Sequence, residues 1–393
     1  MANRTTCIKG GRIILENRVL TGKVLIFDEK IIDILDFDDF EKTQFAQNST
    51  VIDACGAYVS PGFIDLHIHG TGGKDTMDGN LSDLKSISIN VAKNGVTGFL
   101  PTTLSMKKEK IYHALDAISH AMRMKQVGAR ILGAHMEGPF LSPVYFGAHD
   151  AGNLQKADFQ FIRDYLDVLK IITFAPEEDP GFRFLQKVYA ETDILLAMGH
   201  TNADYDTAME AVELGVRHAT HLFNAMPPLL HRDPGPVGAV LNSNATFELI
   251  ADTIHIHPAL FQILLNAKGK DKMVLVTDST RAAGMEAAFW DLGGQKVTAD
   301  GNSVRLADGT LAGSIIGMNK AVYNILHYTN LEIHEAIGLA SINPARLIGL
   351  SKSKGSIEIG KDADIILFDD KLNVELTILE GRIIYSGLGS EET

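Results

Sequence analysis

Residues 61–70 read PGFIDLHIHG, an apolar run that carries Asp65, His67 and His69 within a predicted buried strand. In extended chain, residues two apart share a face, so His67 and His69 project side by side. Two adjacent imidazoles there are either satisfied core histidines or half of a metal site, and the stretch alone leaves both readings open.

Outward from this stretch the same texture repeats. Apolar strand-like runs recur at VTGFLPTT, ILGAHMEGPF, IITFAPE, DILLAMGHT, ATHLFNAM, FELIADTIH and MVLVTDST, separated by helical periodicity as in KIYHALDAISHAMRM and DYDTAMEAVELG. With FIDLHIHG these make eight nearly continuous apolar strands alternating with helices. That pattern predicts a parallel sheet covered on both faces and closed into a (β/α)8 barrel over 58–353. The chain ends differ: short Ile/Val-rich runs separated by turn signals predict a small β-sandwich domain built from 1–57 together with 354–393.

Bulk composition narrows the function. Of 393 residues, 45% are hydrophobic and 22% charged, ordinary for a globular enzyme and against disorder. A net charge of −13 argues against nucleic acid or an anionic membrane as partner, and requires local cations wherever an anionic ligand is held. Two cysteines, no apolar h-region near the start and no run of about 20 apolar residues predict a cytoplasmic chain without a membrane span.

In such a barrel, chemistry sits at the C-terminal ends of the strands. There the unusual polar residues fall: His67 and His69 after the first strand, Glu137 after the third, His200 after the fifth, His221 after the sixth, His255 after the seventh and Asp278 after the eighth. Each alone could be a packed histidine, a helix cap or a solvated carboxylate. Core packing gives no reason for all of them to gather at one rim, whereas imidazole and carboxylate suit zinc and similar divalent ions. Glu137, His200 and His221 can supply three ligands, and His67 and His69 a second position. A bound divalent ion lowers the pKa of water to roughly 7. Asp278 is placed to take that water's proton and pass it on, with His255 facing the substrate and steadying the developing oxyanion. Zinc leads, with iron, manganese and cobalt compatible, at one or two ions per subunit.

On these residues, together with HMEGPFLS, GHTNA, HLFNAMPPL, ADTIH, LVTDS and LAGSIIGM, the chain resembles the amidohydrolase superfamily and, within it, the N-acetylglucosamine-6-phosphate deacetylase family, over nearly its whole length. The resemblance implies hydrolysis of the acetamide of N-acetyl-D-glucosamine 6-phosphate to acetate and D-glucosamine 6-phosphate. It implies metal residues at Glu137, His200 and His221, with His67 and His69 where a second ion binds, and a general acid/base at Asp278. It implies substrate contacts at Asn224, Ala225, Arg232 and His255, with His149 and Ile315 on its looser motifs, and a homodimer in which Arg232 reaches the phosphate across the interface. A planar guanidinium suits that contact.

Three departures bear on specificity. Thr253 stands where the family has glycine, Ser279-Thr280-Arg281 replaces small residues and adds a cation near the mouth, and VYFGAHDAGN lacks the family's lysine. The competing readings are an amidohydrolase for another N-acetyl amino sugar or a cyclic amide, and a metal-free barrel serving as a binding protein. The filled ligand positions weigh against the second.

Overall fold

The computed structural model describes residues 5–125 and 127–387. Among them, the eight predicted strands form one ring: β1 Phe63–Ile68, β2 Val96–Thr103, β3 Ala134–Glu137, β4 Leu169–Phe174, β5 Leu195–Met198, β6 His218–Ala219, β7 Thr246–Ile250 and β8 Met273–Val276. Each pairs parallel with the next, and β2 also takes the short strand Arg130–Ile131 on its flank. The ring closes between β8 and β1 through the Ile68–Ser279 bridge, with Asp278 N donating to His67 O at 2.8 Å and His69 N to Ser279 O at 2.9 Å. Closure therefore runs through the residues that carry the polar side chains.

Burial explains why these segments are strands. Ile64, Leu66, Leu100, Ile171, Ile250 and Val274 meet across the ring and fill it. Other strand residues such as Phe99, Met136 and Phe174 pack outward against helical residues such as Ile111, Ile118 and Leu185. Strands buried on both faces must be apolar throughout, which is why the runs read as continuous rather than alternating. Each such side chain contributes about 1.5–3 kcal/mol on leaving water. The ring's upper layer breaks the rule: His67, His135, Thr173, Thr220 and Glu248 are all buried and polar.

The chain ends form two sheets. Thr6–Lys9, Lys23–Phe27, Ile31–Asp36 and Thr50–Asp53 make one; Arg12–Ile14, Val19–Leu20, Tyr58–Pro61, Ile365–Phe368, Val374–Leu379 and Arg382–Ser386 make the other. Their facing side chains Ile8, Leu25, Phe27, Val59, Ile365 and Leu367 share one core, so the sheets form a sandwich. The alternate residues Ile366 and Phe368 turn the other way and join the barrel's core. A period of two thus fastens the sandwich to the barrel with both faces of one strand. After β8 a three-stranded hairpin sheet, Ala288–Leu292, Gln295–Ala299 and Val304–Arg305, stands over the barrel mouth. Among the described residues no helix is long and apolar enough to cross a membrane.

Candidate active site

The short strands β5 and β6 end where the backbone turns left-handed. His200 (φ 47°), His221 (φ 26°) and Asp278 (φ 47°) all adopt positive φ, as do Phe223, Ala225 and Thr253 on the following loops. Non-glycine residues in this region store backbone strain and cluster at functional sites. The strain ends the ladder and swings each side chain over the mouth of the ring.

There the side chains converge. His200 Nε2 and His221 Nε2 lie 3.0 Å apart, and they stand 3.1 and 3.0 Å from Glu137 Oε1. The paired histidines of β1 close the other side. His69 Nε2 is 3.3 Å from Glu137 Oε2 and 3.2 Å from Asp278 Oδ1; His67 Nε2 is 3.4 Å from Glu137 Oε1 and 3.5 Å from Asp278 Oδ1. Glu137 sits between two pairs of imidazoles, with all these groups buried.

On three of the four rings a hydrogen bond on the far side assigns the tautomer. His200 Nδ1 donates to Tyr145 O (3.1 Å), His69 Nδ1 to Thr102 O (3.2 Å) and His67 Nδ1 to Glu248 Oε2 (2.9 Å). With those protons placed, Nε2 of these three rings carries its lone pair toward the common centre. This is the orientation of metal-binding imidazoles, held from behind by an oxygen. His221 Nδ1 lacks such a partner among the described residues, and its Nε2 stands 3.0 Å from both His200 Nε2 and Glu137 Oε1 at the same centre. Ligands on a tetrahedral ion at about 2.0–2.1 Å stand roughly 3.3 Å apart, close to the spacings here. Among the described residues His67 Nε2 and Asp278 Oδ1 also lack a well-aligned hydrogen bond. The donor set fits a divalent cation.

Electrostatics carry the same message. Burial drives His200 down to about 4, so it stays neutral. Burial opposes charge on His67 and His69 too, yet the facing carboxylates of Glu137, Glu248 and Asp278 push His67 well above its ordinary value and those of Asp278 and Glu137 push His69 to about 10. Burial alone would raise Glu137, but the charge of His67 and the hydrogen bond from His149 hold it well below the usual carboxylate range. Asp278 is likewise lowered, against burial, by His67 and His69. The rim is a concentration of carboxylates that requires positive charge at its centre, carried either by protons on His67 and His69 or by a cation that takes their place on Nε2.

The cavity above it is about 1010 Å³, lined by His69, Glu137, His149, His200, His221, Asn224, Ala225, His255 and Asp278 and roofed by Leu292, Gln295, Lys296 and Arg305 of the hairpin. His255 faces it with Nδ1 held by Asp252 Oδ2 at 2.7 Å. His149 accepts from Ser105 N on Nδ1 (3.0 Å), so its proton is on Nε2, 3.2 Å from Glu137 Oε2. Two sequence candidates stand apart. Arg232 lies exposed on the loop after β6, against His231, and does not line its own chain's cavity. Ile315 borders a separate cleft of about 350 Å³ beside Asp65 and Thr277. Arg281 is also turned off the mouth, paired with Asp78 at 2.9 Å and Asp75 at 3.6 Å, so it adds no free cation there.

Sequence reading missed Glu248 and His135, which lie under the rim, and the hairpin roof. Glu248 was visible as the one charged residue inside the apolar run FELIA, where a buried carboxylate needs a partner. His135 fills its place without an ion: Nδ1 meets Leu66 O (3.0 Å) and Nε2 meets Thr173 Oγ1 (2.7 Å).

With this geometry in view, comparison with known proteins is informative. Residues 58–384 match the amidohydrolase family. An N-acetylglucosamine-6-phosphate deacetylase of Bacillus subtilis (strain 168) is 37% identical over 387 residues, covering 96% of each chain. The crystal structure of the N-acetylglucosamine-6-phosphate deacetylase from Pasteurella multocida superposes with a TM-score of 0.90 at 32% identity, covering 96% of this chain and 99% of that one. A Mycobacterium smegmatis N-acetyl-D-glucosamine-6-phosphate deacetylase mutant, in complex with N-acetyl-D-glucosamine-6-phosphate, superposes with a TM-score of 0.88 at 25% identity, covering 98% and 99%. The chain described here belongs to the amidohydrolase family.

Proposed function

We propose that the chain is a metal-dependent deacetylase that converts N-acetyl-D-glucosamine 6-phosphate to D-glucosamine 6-phosphate and acetate. The observation that carries this reading is the convergence of four imidazole Nε2 atoms, Glu137 and Asp278 at the floor of a cavity roomy enough for a phosphosugar. The activity and substrate named for the Bacillus and Mycobacterium relatives supply the substrate class.

Glu137, His200 and His221 would hold the ion, zinc ahead of iron, manganese or cobalt, with His67 and His69 offering a second position. When bound, such an ion supplies Lewis acidity to the amide carbonyl and to water. Asp278 Oδ1 takes the proton of the attacking water and delivers it to the amide nitrogen as the C–N bond breaks. The products are then acetate and the amine. His149 donates through Nε2. His255, oriented by Asp252, and the Asn224–Ala225 segment position the sugar from the cavity wall. In this reading a second copy of the chain brings Arg232 of the partner subunit to the phosphate, and the enzyme works in the cytoplasm, where Cys7 and Cys55 stay free thiols. A solution mass of a single 42.7 kDa chain would remove the dimer.

The test is acetate release from N-acetyl-D-glucosamine 6-phosphate by protein stripped with a chelator and then reloaded with zinc. Release restored by the ion, and lower kcat/KM on the unphosphorylated sugar, is expected. Equal turnover by stripped and reloaded protein would refute metal dependence, and equal kcat/KM on the two sugars would refute the phosphate.

A further inference from the structure

Three of the four inward-facing imidazoles are held from behind by an oxygen, but not by the same kind of group. His69 and His200 lean on the backbone carbonyls of Thr102 and Tyr145. His67 leans on a carboxylate, Glu248 Oε2, at 2.9 Å. The same oxygen accepts the backbone N–H of His221 at 3.0 Å, at the residue whose φ of 26° carries the strain. Glu248 is wholly buried in the middle of β7, and His135 packs edge-on against His67 with ring centroids 4.6 Å apart. His67 therefore has one direction in which to point Nε2, and that direction is set by Glu248. A carboxylate behind an imidazole also makes it a stronger donor than a carbonyl does.

We propose that Glu248 is a positioning residue for the metal centre: it fixes His67 as the Nδ1–H tautomer and so creates the second ion position at His67 and His69, while its hold on the His221 backbone keeps the two halves of the site in register. This rests on the metal-dependent reading above. It adds to that reading one side chain, buried beneath the cavity floor, that decides how many ions the chain carries.

Zinc alone is the probe. Wild type and Glu248→Gln, which keeps the shape and removes the charge, are stripped, dialysed against buffered zinc and assayed for zinc per chain. Wild type is expected to take up two equivalents, and the variant to hold the weaker one 10- to 100-fold less tightly while retaining the other. Uptake of one equivalent by wild type, or identical uptake curves for the two proteins, would overturn the proposal. A second measurement needs no variant: imidazole ¹⁵N spectra of zinc-loaded wild type should show the His67 proton on Nδ1. A proton on Nε2 would overturn the assignment even if Glu248→Gln did not fold. Binding of no zinc at all would instead refute the metal reading on which both stand.

Discussion

Two regions of this molecule bury charge, and they do so in opposite ways. At the sandwich, Lys354 Nζ meets Asp364 Oδ2 at 2.7 Å and Asp362 Oδ2 at 2.9 Å; Lys30 reaches Asp362 Oδ1 at 2.9 Å, and Asp364 Oδ1 accepts from Glu380 N at 3.0 Å. At the barrel rim, Glu137 and Asp278 face imidazoles whose lone pairs point inward, and His67 Nε2 and Asp278 Oδ1 lack well-aligned partners among the described residues. A buried charge with its counter-charge in the chain fastens structure. A set of buried donors whose counter-charge is not in the chain is arranged to receive one.

The largest effect should come from the rim. Asp278→Asn leaves the imidazoles and Glu137 in place but removes the group proposed to carry the proton, so turnover should fall by about 10²–10⁴ with zinc content unchanged. Acetate release and elemental analysis on one preparation check both halves. Unchanged turnover would take Asp278 out of the reaction, and loss of zinc would make it a ligand first. The variant should lose little stability, which sets it against the sandwich.

There the reverse is expected. Lys354→Met strands Asp364 in a dry environment and should cost about 3–5 kcal/mol in denaturant unfolding, with kcat per folded molecule unchanged. Pairing it with Asp364→Leu should recover most of that loss, because the uncompensated charge disappears. The partners shift differently: burial raises Asp364 despite Lys354, whereas Lys354, against burial, is held above 10.5 by Asp364 and Asp362. The lysine sets the sign, having two counter-charges where Asp364 has one. Its stabilisation is present in full below the ordinary lysine value of 10.5 and fades as pH rises through its higher folded value. Wild type should lose more stability in that alkaline window than Lys354→Met, which keeps only the Lys30–Asp362 pair there. Parallel curves would show that the pair contributes nothing specific.

The same contrast explains what could be read from the sequence. The barrel was legible because its strands are apolar on both faces, so each run stands out without alternation. The rim residues were legible because they end those runs. Glu248 was harder, since one carboxylate inside FELIA has meaning only once His67, distant in the chain, is brought against it. Arg281 was misleading in the opposite sense: beside LVTDS it reads as a cation at the mouth, and only the fold supplies Asp75 and Asp78 to claim it. The left-handed backbone at His200, His221 and Asp278 had no signal, because none is a glycine.

Thr253 shows that last point at its smallest scale. Its φ of 70° lies where a β-branched residue is strained by about 1–2 kcal/mol, yet the turn holds because Asp252 Oδ1 accepts both Ile254 N and His255 N at 2.8 Å. The aspartate's other oxygen orients the His255 ring. The conformation is thus imposed by Asp252, and the residue at 253 need only tolerate it. Glycine would relieve the strain at the cost of roughly 0.4–1 kcal/mol from a freer unfolded chain. Thr253→Gly should therefore raise stability by up to about 1.5 kcal/mol and leave KM unchanged. A loss of stability would mean that the threonine side chain packs in a way that outweighs its strain, and a raised KM would mean that the turn, not Asp252 alone, aims His255 at the cavity.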